Sequence, residues 1–134
     1  LILDLIEGLY LLENKKITIT KLKEKINSKQ LADIGKKAHH NFENKYRIYK
    51  FFRNKKYIIN PGIKFGCDFA VYEKGPGIDH SPYLIQVYNG NETIPATEIT
   101  IKGRLAASVK KQFIFAIPKG KDEINFIGLA WWKA

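Results

Sequence analysis

Apolar positions recur along the first third of the chain at helical spacing and along the rest mostly at alternating spacing. Leu1–Glu13 (LILDLIEGLYLLE) is apolar over nearly its whole length, which predicts a packed helix, too short to cross a bilayer. Ile17–Thr20 reads as a short strand. Thr20 then caps a turn of helix around Lys21–Ile26, and Ser28 caps a helix running toward Ala38. From Asn41 to Asn54 the aromatics Phe42, Tyr46, Tyr49 and Phe52 fall at three- and four-residue intervals, the stripe of a helix facing a core.

Past Asn54 the period shortens. Tyr57-Ile58-Ile59 reads as a strand and Asn60-Pro61-Gly62 as a turn. Phe65–Tyr72 and Tyr83–Tyr88 read as strands, with Phe65, Cys67, Phe69 and Val71 alternating onto one face of the first. After a loop at Asn89–Glu92, Thr97 caps a helix to about Val109, with Gly103 as its weak point. Gln112–Ile117 is a strand, Pro118–Glu123 a polar turn and Ile124–Trp132 a closing strand. The sum is an α/β (α+β) chain without internal repeats. A small helical/mixed N-terminal domain over residues 1–41 precedes an α/β domain over 42–134 with a central mixed sheet flanked by helices. Because the sequence opens on Leu1 rather than methionine, the N-terminal domain is expected to be incomplete.

Composition narrows the partners. Hydrophobic residues make up 45% of 134, enough for a core. Lys and Arg number 23 against 13 Asp and Glu, a formal charge of +10. That excess suits an anionic partner, although a lysine-rich soluble surface explains it equally well. Aromatic content of 13% tips the balance toward nucleic acid, whose bases need faces to stack on. The single cysteine, Cys67, reads as a buried structural thiol of an intracellular protein. No membrane span or secretory signal pattern is visible. His39 and His40 are neighbours, so they diverge on a helix and read as surface residues.

The candidate chemistry sits between the first two long strands. Glu73–Asp79 contains Gly75-Pro76-Gly77, a tight loop that leaves Tyr72 at the end of one strand and His80 at the start of the next. A phenol and an imidazole held close beside basic residues suggest proton transfer on a phosphate. Arg104, Lys110 and Lys111 lie toward the end of the later helix. Arg104 and Lys111 would share a face if the helix reached that far.

Several motifs occur in order: Tyr46-x-x-Tyr49, Arg53, Tyr57, Pro61-Gly62-Ile63-Lys64-Phe65-Gly66, Asp68-Phe69-x-x-Tyr72, His80-Ser81-x-Tyr83 and Gly103-Arg104-Leu105-Ala106-x-Ser108-Val109-Lys110-Lys111. Over residues 42–134 this resembles the catalytic domain of the tRNA-splicing endonuclease family, and LIEGLYLLENKKI near the start looks like that family's N-terminal domain. The resemblance implies a catalytic set of Tyr72, His80 and Lys111, with Lys110 the second choice for the lysine. It implies cleavage of precursor tRNA at intron–exon junctions of bulge-helix-bulge type. The products would carry 2′,3′-cyclic phosphate and 5′-hydroxyl ends, with no metal and no cofactor.

In that reaction the substrate's own 2′-hydroxyl attacks the adjacent phosphorus, so proximity is built into RNA. Imidazolium suits the acid that protonates the departing 5′-oxygen, and an ammonium stabilises charge on the non-bridging oxygens. A free phenol is ionised in roughly one molecule in a thousand at pH 7. Tyr72 therefore either takes the proton with help from Lys111 or only orients the hydroxyl. The resemblance further implies that Arg104 and Trp131 sandwich a flipped base. Packing is the competing role for Trp131. Family members often carry an acidic penultimate turn, whereas Pro118–Glu123 is net neutral here. A structural paralogous subunit donating an acidic loop, in an α2β2 heterotetramer, is the expected partner, together with precursor tRNA. The location is expected to be intracellular, and cytoplasmic if archaeal. Two alternatives stay open: a non-catalytic structural or RNA-binding subunit of the same assembly, and a basic RNA-binding module unrelated to splicing.

Overall fold

The structure, a computed structural model, describes residues 1–80 and 82–132. It divides into two compact units, Leu1–Tyr46 and Arg47–Ala134. In the first, helix α1 (Leu5–Glu13) starts four residues later than the apolar run. The cause is Asp4, whose carboxylate accepts from Ile6 N at 2.8 Å while Glu7 accepts from Asp4 N at 3.1 Å, a reciprocal cap at the helix start. Leu1 and Ile2 are left exposed.

The helical turn expected at Lys21–Ile26 is instead a hairpin. Strands β1 (Ile19–Lys21) and β2 (Glu24–Ile26) pair antiparallel, Ile19 opposite Ile26 and Lys21 opposite Glu24. Leu22 and Lys23 make the two-residue turn with φ of 51° and 70°, the left-handed geometry that matches strand twist. Helical pattern lost here because two isoleucines pair across the turn. Helix α2 (Ser28–Ala38) is capped by Asn27, one residue before the expected Ser28, through mutual bonds with Gln30 at 2.8 Å each.

Helix α3 (Phe42–Asn54) leads into the second unit. Its sheet has the spatial order β3 (Ile58–Pro61), β4 (Phe69–Tyr72), β5 (Tyr83–Val87), β6 (Gln112–Lys119), β7 (Glu123–Leu129). All pairs are antiparallel except β5–β6, which is parallel and joined through helix α4 (Ala96–Ser108). A parallel pair needs such a crossover. Tyr49 of α3 meets the Phe69 ring. Ala106 of α4 packs with Ala70, Leu84, Phe113 and Phe115. Phe69 and Ala70 point to opposite faces, so a helix covers each side.

Double coverage explains why the expected alternation is absent from β4. Phe69, Ala70 and Val71 are all buried, as in strands covered on both faces. The strand also begins four residues later than expected. Ile63–Phe65 forms a 3-10 turn, and Gly66 follows with φ 63°. Cys67 is buried, its thiol donating to the carbonyls of Gly62 at 3.5 Å and Phe69 at 3.4 Å. Burial pushes that thiol up to about 11, so it is an inert packing group.

At the far edge β6 runs through Pro118, which pairs with Ile124, and the turn is confined to residues 120–122. Arg47 of α3 holds this turn from behind. Its guanidinium donates to the carbonyl oxygens of Gly120 at 2.6 Å, Glu123 at 2.9 Å and Lys119 at 3.3 Å. β7 ends at Leu129, so Trp131 and Trp132 lie beyond the strand rather than alternating along it. Among the described residues no helix is long and apolar enough to cross a membrane.

Candidate active site

Four stretches of the second unit converge on a cleft of about 410 Å3, the size of a small-ligand site. Tyr72 enters it from the end of β4, where it stands opposite Ile58 of β3 and is half-buried. The β4–β5 loop forms one wall and brings in His80, which is exposed. The 3-10 turn supplies Lys64 and Phe65, and the segment after α4 supplies Lys111. Tyr72, His80 and Lys111, separated in sequence, therefore line one space. Of the neighbouring residues, Ser81 lies outside the described ones.

Lys111 does not reach the cleft from the helix. α4 ends at Ser108, so Arg104 and Lys111 do not share a helical face. Lys110 adopts φ 54°, Lys110 N donates to Ala107 O at 3.4 Å, and Lys111 N donates to Ala106 O at 2.9 Å. This pair of bonds around a left-handed residue is the Schellman stop, usually built on glycine. It reverses the chain so that Lys111 lines the cleft, while Lys110 is exposed and is not among its lining residues. Lys111 Nζ stands 5.6 Å from the centroid of the Phe65 ring, and Lys64 Nζ stands 5.9 Å from it. Each ammonium is within reach of the negative ring face.

The loop between Tyr72 and His80 is tied to itself. Asp79 accepts from three successive backbone N–H groups: Glu73 at 3.1 Å, Lys74 at 3.0 Å and Gly75 at 2.8 Å. These bonds, the one from Lys74 foremost, hold its carboxyl below the ordinary range against a smaller opposing effect of burial. Gly75 and Gly77, at φ 130° and 82°, supply the conformations this path needs. With a phenol, an imidazole and two ammonium groups around it, the cleft can hold a phosphate and exchange protons with its oxygens. Among the described residues there is no group of three or more His, Cys, Asp or Glu suited to a metal.

Arg104 and Trp131 meet each other outside the cleft lining. The guanidinium carbon is 5.9 Å from the centroid of the Trp131 ring, and the indole is 53% exposed. An indole this open is not a core side chain. Sequence reasoning missed Lys64 and Phe65 as cleft residues, although the glycines at 62 and 66 that bracket them were a signal for a non-strand turn. Asp79, which the sequence offers as a helper to His80 if oriented toward it, instead turns back onto its own loop.

Comparison with known proteins gives a match over most of the chain. Residues 42–126 match the family model described as tRNA intron endonuclease, catalytic C-terminal domain, and residues 1–32 match tRNA intron endonuclease, N-terminal domain. The chain is 43% identical over 133 residues to a tRNA-splicing endonuclease of Pyrobaculum arsenaticum, covering 98% of this chain and 73% of that protein. It is 39% identical over 134 residues to one of Sulfurisphaera tokodaii, covering 99% and 74%. The corresponding protein of Hyperthermus butylicus is 37% identical over 135 residues, covering 98% and 74%.

Proposed function

The chain belongs to the tRNA intron endonuclease family, and from that premise we propose that it cuts precursor tRNA at bulge-helix-bulge junctions by attack of the RNA's own 2′-hydroxyl. RNA cleavage in tRNA splicing is the activity that the family and its named relatives carry. The observation that supports the finer reading is the meeting of Tyr72, His80 and Lys111 in one cleft.

The reaction needs two proton movements and one charge stabilised. The 2′-oxygen bonds to phosphorus, its proton passing to Tyr72 or to a water that Tyr72 orients. The bond from phosphorus to the 5′-oxygen breaks, and His80 gives that oxygen its proton, leaving a 2′,3′-cyclic phosphate and a 5′-hydroxyl. Lys111, with Lys64 beside the same ring, faces the charge that gathers on the non-bridging oxygens. Arg104 and Trp131 present a flat cation and an indole to a flipped base. The turn at 120–122 adds no net acidic charge, which supports assembly with a paralogous subunit that carries the acidic loop, as an α2β2 heterotetramer.

The test is cleavage of a bulge-helix-bulge RNA by the chain with its candidate partner, followed by analysis of the new ends. Cyclic phosphate ends are expected, with loss of cutting when the nucleotide at the junction lacks its 2′-hydroxyl. His80→Ala should lower the rate by about 10²–10⁴-fold. Ends bearing 3′-hydroxyl and 5′-phosphate, or undiminished cutting of the deoxy substrate, refute the mechanism.

A further inference from the structure

The β4–β5 loop joins Tyr72 to His80, and its shape rests on one side chain. The carboxylate of Asp79 is turned back into the loop, Oδ2 accepting from Glu73 N and Lys74 N and Oδ1 from Gly75 N. Three consecutive N–H groups converging on one anion form a nest of the kind that elsewhere holds phosphate. Here the chain fills it with its own charge. Two backbone bonds close the same loop, from Ile78 N and Asp79 N to Gly75 O, each 3.1 Å.

The consequence falls on the neighbours. Glu73, the first residue of the nest, follows Tyr72 directly, and Asp79, which fills it, precedes His80. On the far side Tyr83 is already paired with Val71 in the sheet. On the near side His80 is thus tied directly to a carboxylate anchored beside Tyr72. With both its oxygens engaged by backbone, the Asp79 carboxylate is committed to holding the loop.

We propose that Asp79 is a positioning residue for the acid step, fixing the His80 side of the cleft relative to the Tyr72 side through its bonds to the backbone of residues 73–75. The inference rests on the reading of His80 as the acid. Without the carboxylate three N–H groups lose their acceptor, and the two bonds to Gly75 O are left to close the loop. His80 then samples positions away from the departing oxygen, and a displacement of about 1 Å is enough to cost on the order of 10²-fold in rate.

The experiment compares two linkages in the assembled enzyme. One RNA carries the ordinary 5′-oxygen at the cut site and the other a 5′-bridging sulfur, which departs as thiolate and needs no proton. Asp79→Ala should lower kcat on the oxygen linkage by roughly 10–10²-fold with KM within about twofold. On the sulfur linkage it should come within about threefold of the unaltered enzyme. Asp79→Asn keeps an acceptor oxygen for part of the nest and should fall between, which guards against an alanine variant that does not fold. His80→Ala run in parallel should also recover on sulfur. Equal losses on both linkages, or no loss on oxygen, overturn the positioning role while leaving His80 as the acid. Failure of His80→Ala to recover on sulfur removes the acid reading itself, and the positioning role with it.

Discussion

Gly62 is where the sheet and the cleft depend on the same missing side chain. A Cβ at this position would stand 2.5 Å from Cys67 Sγ, 2.7 Å from Cys67 O and 2.9 Å from Phe69 N. The first of these could rotate, at the loss of the thiol's bonds to two carbonyls. The other two are backbone atoms at the entry to β4, where Gly62 N also donates to Asp68 O at 2.9 Å. Gly62→Ala therefore has to move the chain rather than a side chain. Overpacking of this kind costs typically 1–3 kcal/mol, and the stiffer unfolded chain returns about 0.4–1 kcal/mol. A net loss of about 1.3 kcal/mol corresponds to a fall in Tm of roughly 4–8 °C at this size. Thermal unfolding followed by far-UV circular dichroism reads it, with Gly90→Ala as control, since nothing lies within 4 Å of a Cβ there. Because Ile63–Phe65 follows directly, cleavage should suffer even below the new Tm, through Lys64 and Phe65. A Gly62→Ala protein melting within about 1 °C of the parent would refute the packing argument.

Two further outcomes test separate parts of the molecule. Burial raises the Cys67 thiol from its ordinary value near 9 to about 11, Lys102 opposing the shift. Its contribution to stability is full below about pH 9 and is lost as pH rises toward about 11. Tm of the parent should therefore fall more steeply than that of Cys67→Ala across that window, and parallel curves would refute it. If Arg104 and Trp131 grip a base, alanine at either should weaken binding of an uncleavable bulged RNA by about 1–3 kcal/mol, roughly 5- to 150-fold. Only Arg104→Ala removes a positive charge, so it alone should also flatten the salt dependence. Filter binding across a salt series distinguishes them, and unchanged affinity in both variants ends the sandwich.

Much of the fold was legible because its signals are local. The aromatic stripe from Phe42 to Phe52 gave α3 almost to the residue, and the strands expected at Tyr83–Tyr88 and Gln112–Ile117 appear as Tyr83–Val87 and Gln112–Lys119, with α4 between them beginning at Ala96 behind Pro95 rather than at a Thr97 cap. The hairpin at Ile19–Ile26 was not legible, since a Leu22-Lys23 turn lacks the Asn or Gly that normally marks left-handed geometry. The single-face reading of Phe65–Tyr72 failed for a different reason. Alternation presumes one covered side, and β4 has helices over both. In the cleft, Tyr72, His80 and Lys111 came from motif order. The choice of Lys111 over Lys110 depends on the stop after α4, a matter of backbone bonds that residue types do not announce.

The grip of Arg47 on the β6–β7 turn separates the path of that turn from the side chains at its tip. Only main-chain oxygens of Lys119, Gly120 and Glu123 are grasped, so the side chains at Lys121 and Asp122 play no part in that grip. Such a turn is a mount on which charge can be rewritten while its outline is kept. Reversing the sign at the tip would change which surfaces it attracts without redrawing the protrusion, a route by which one scaffold could come to serve different assemblies.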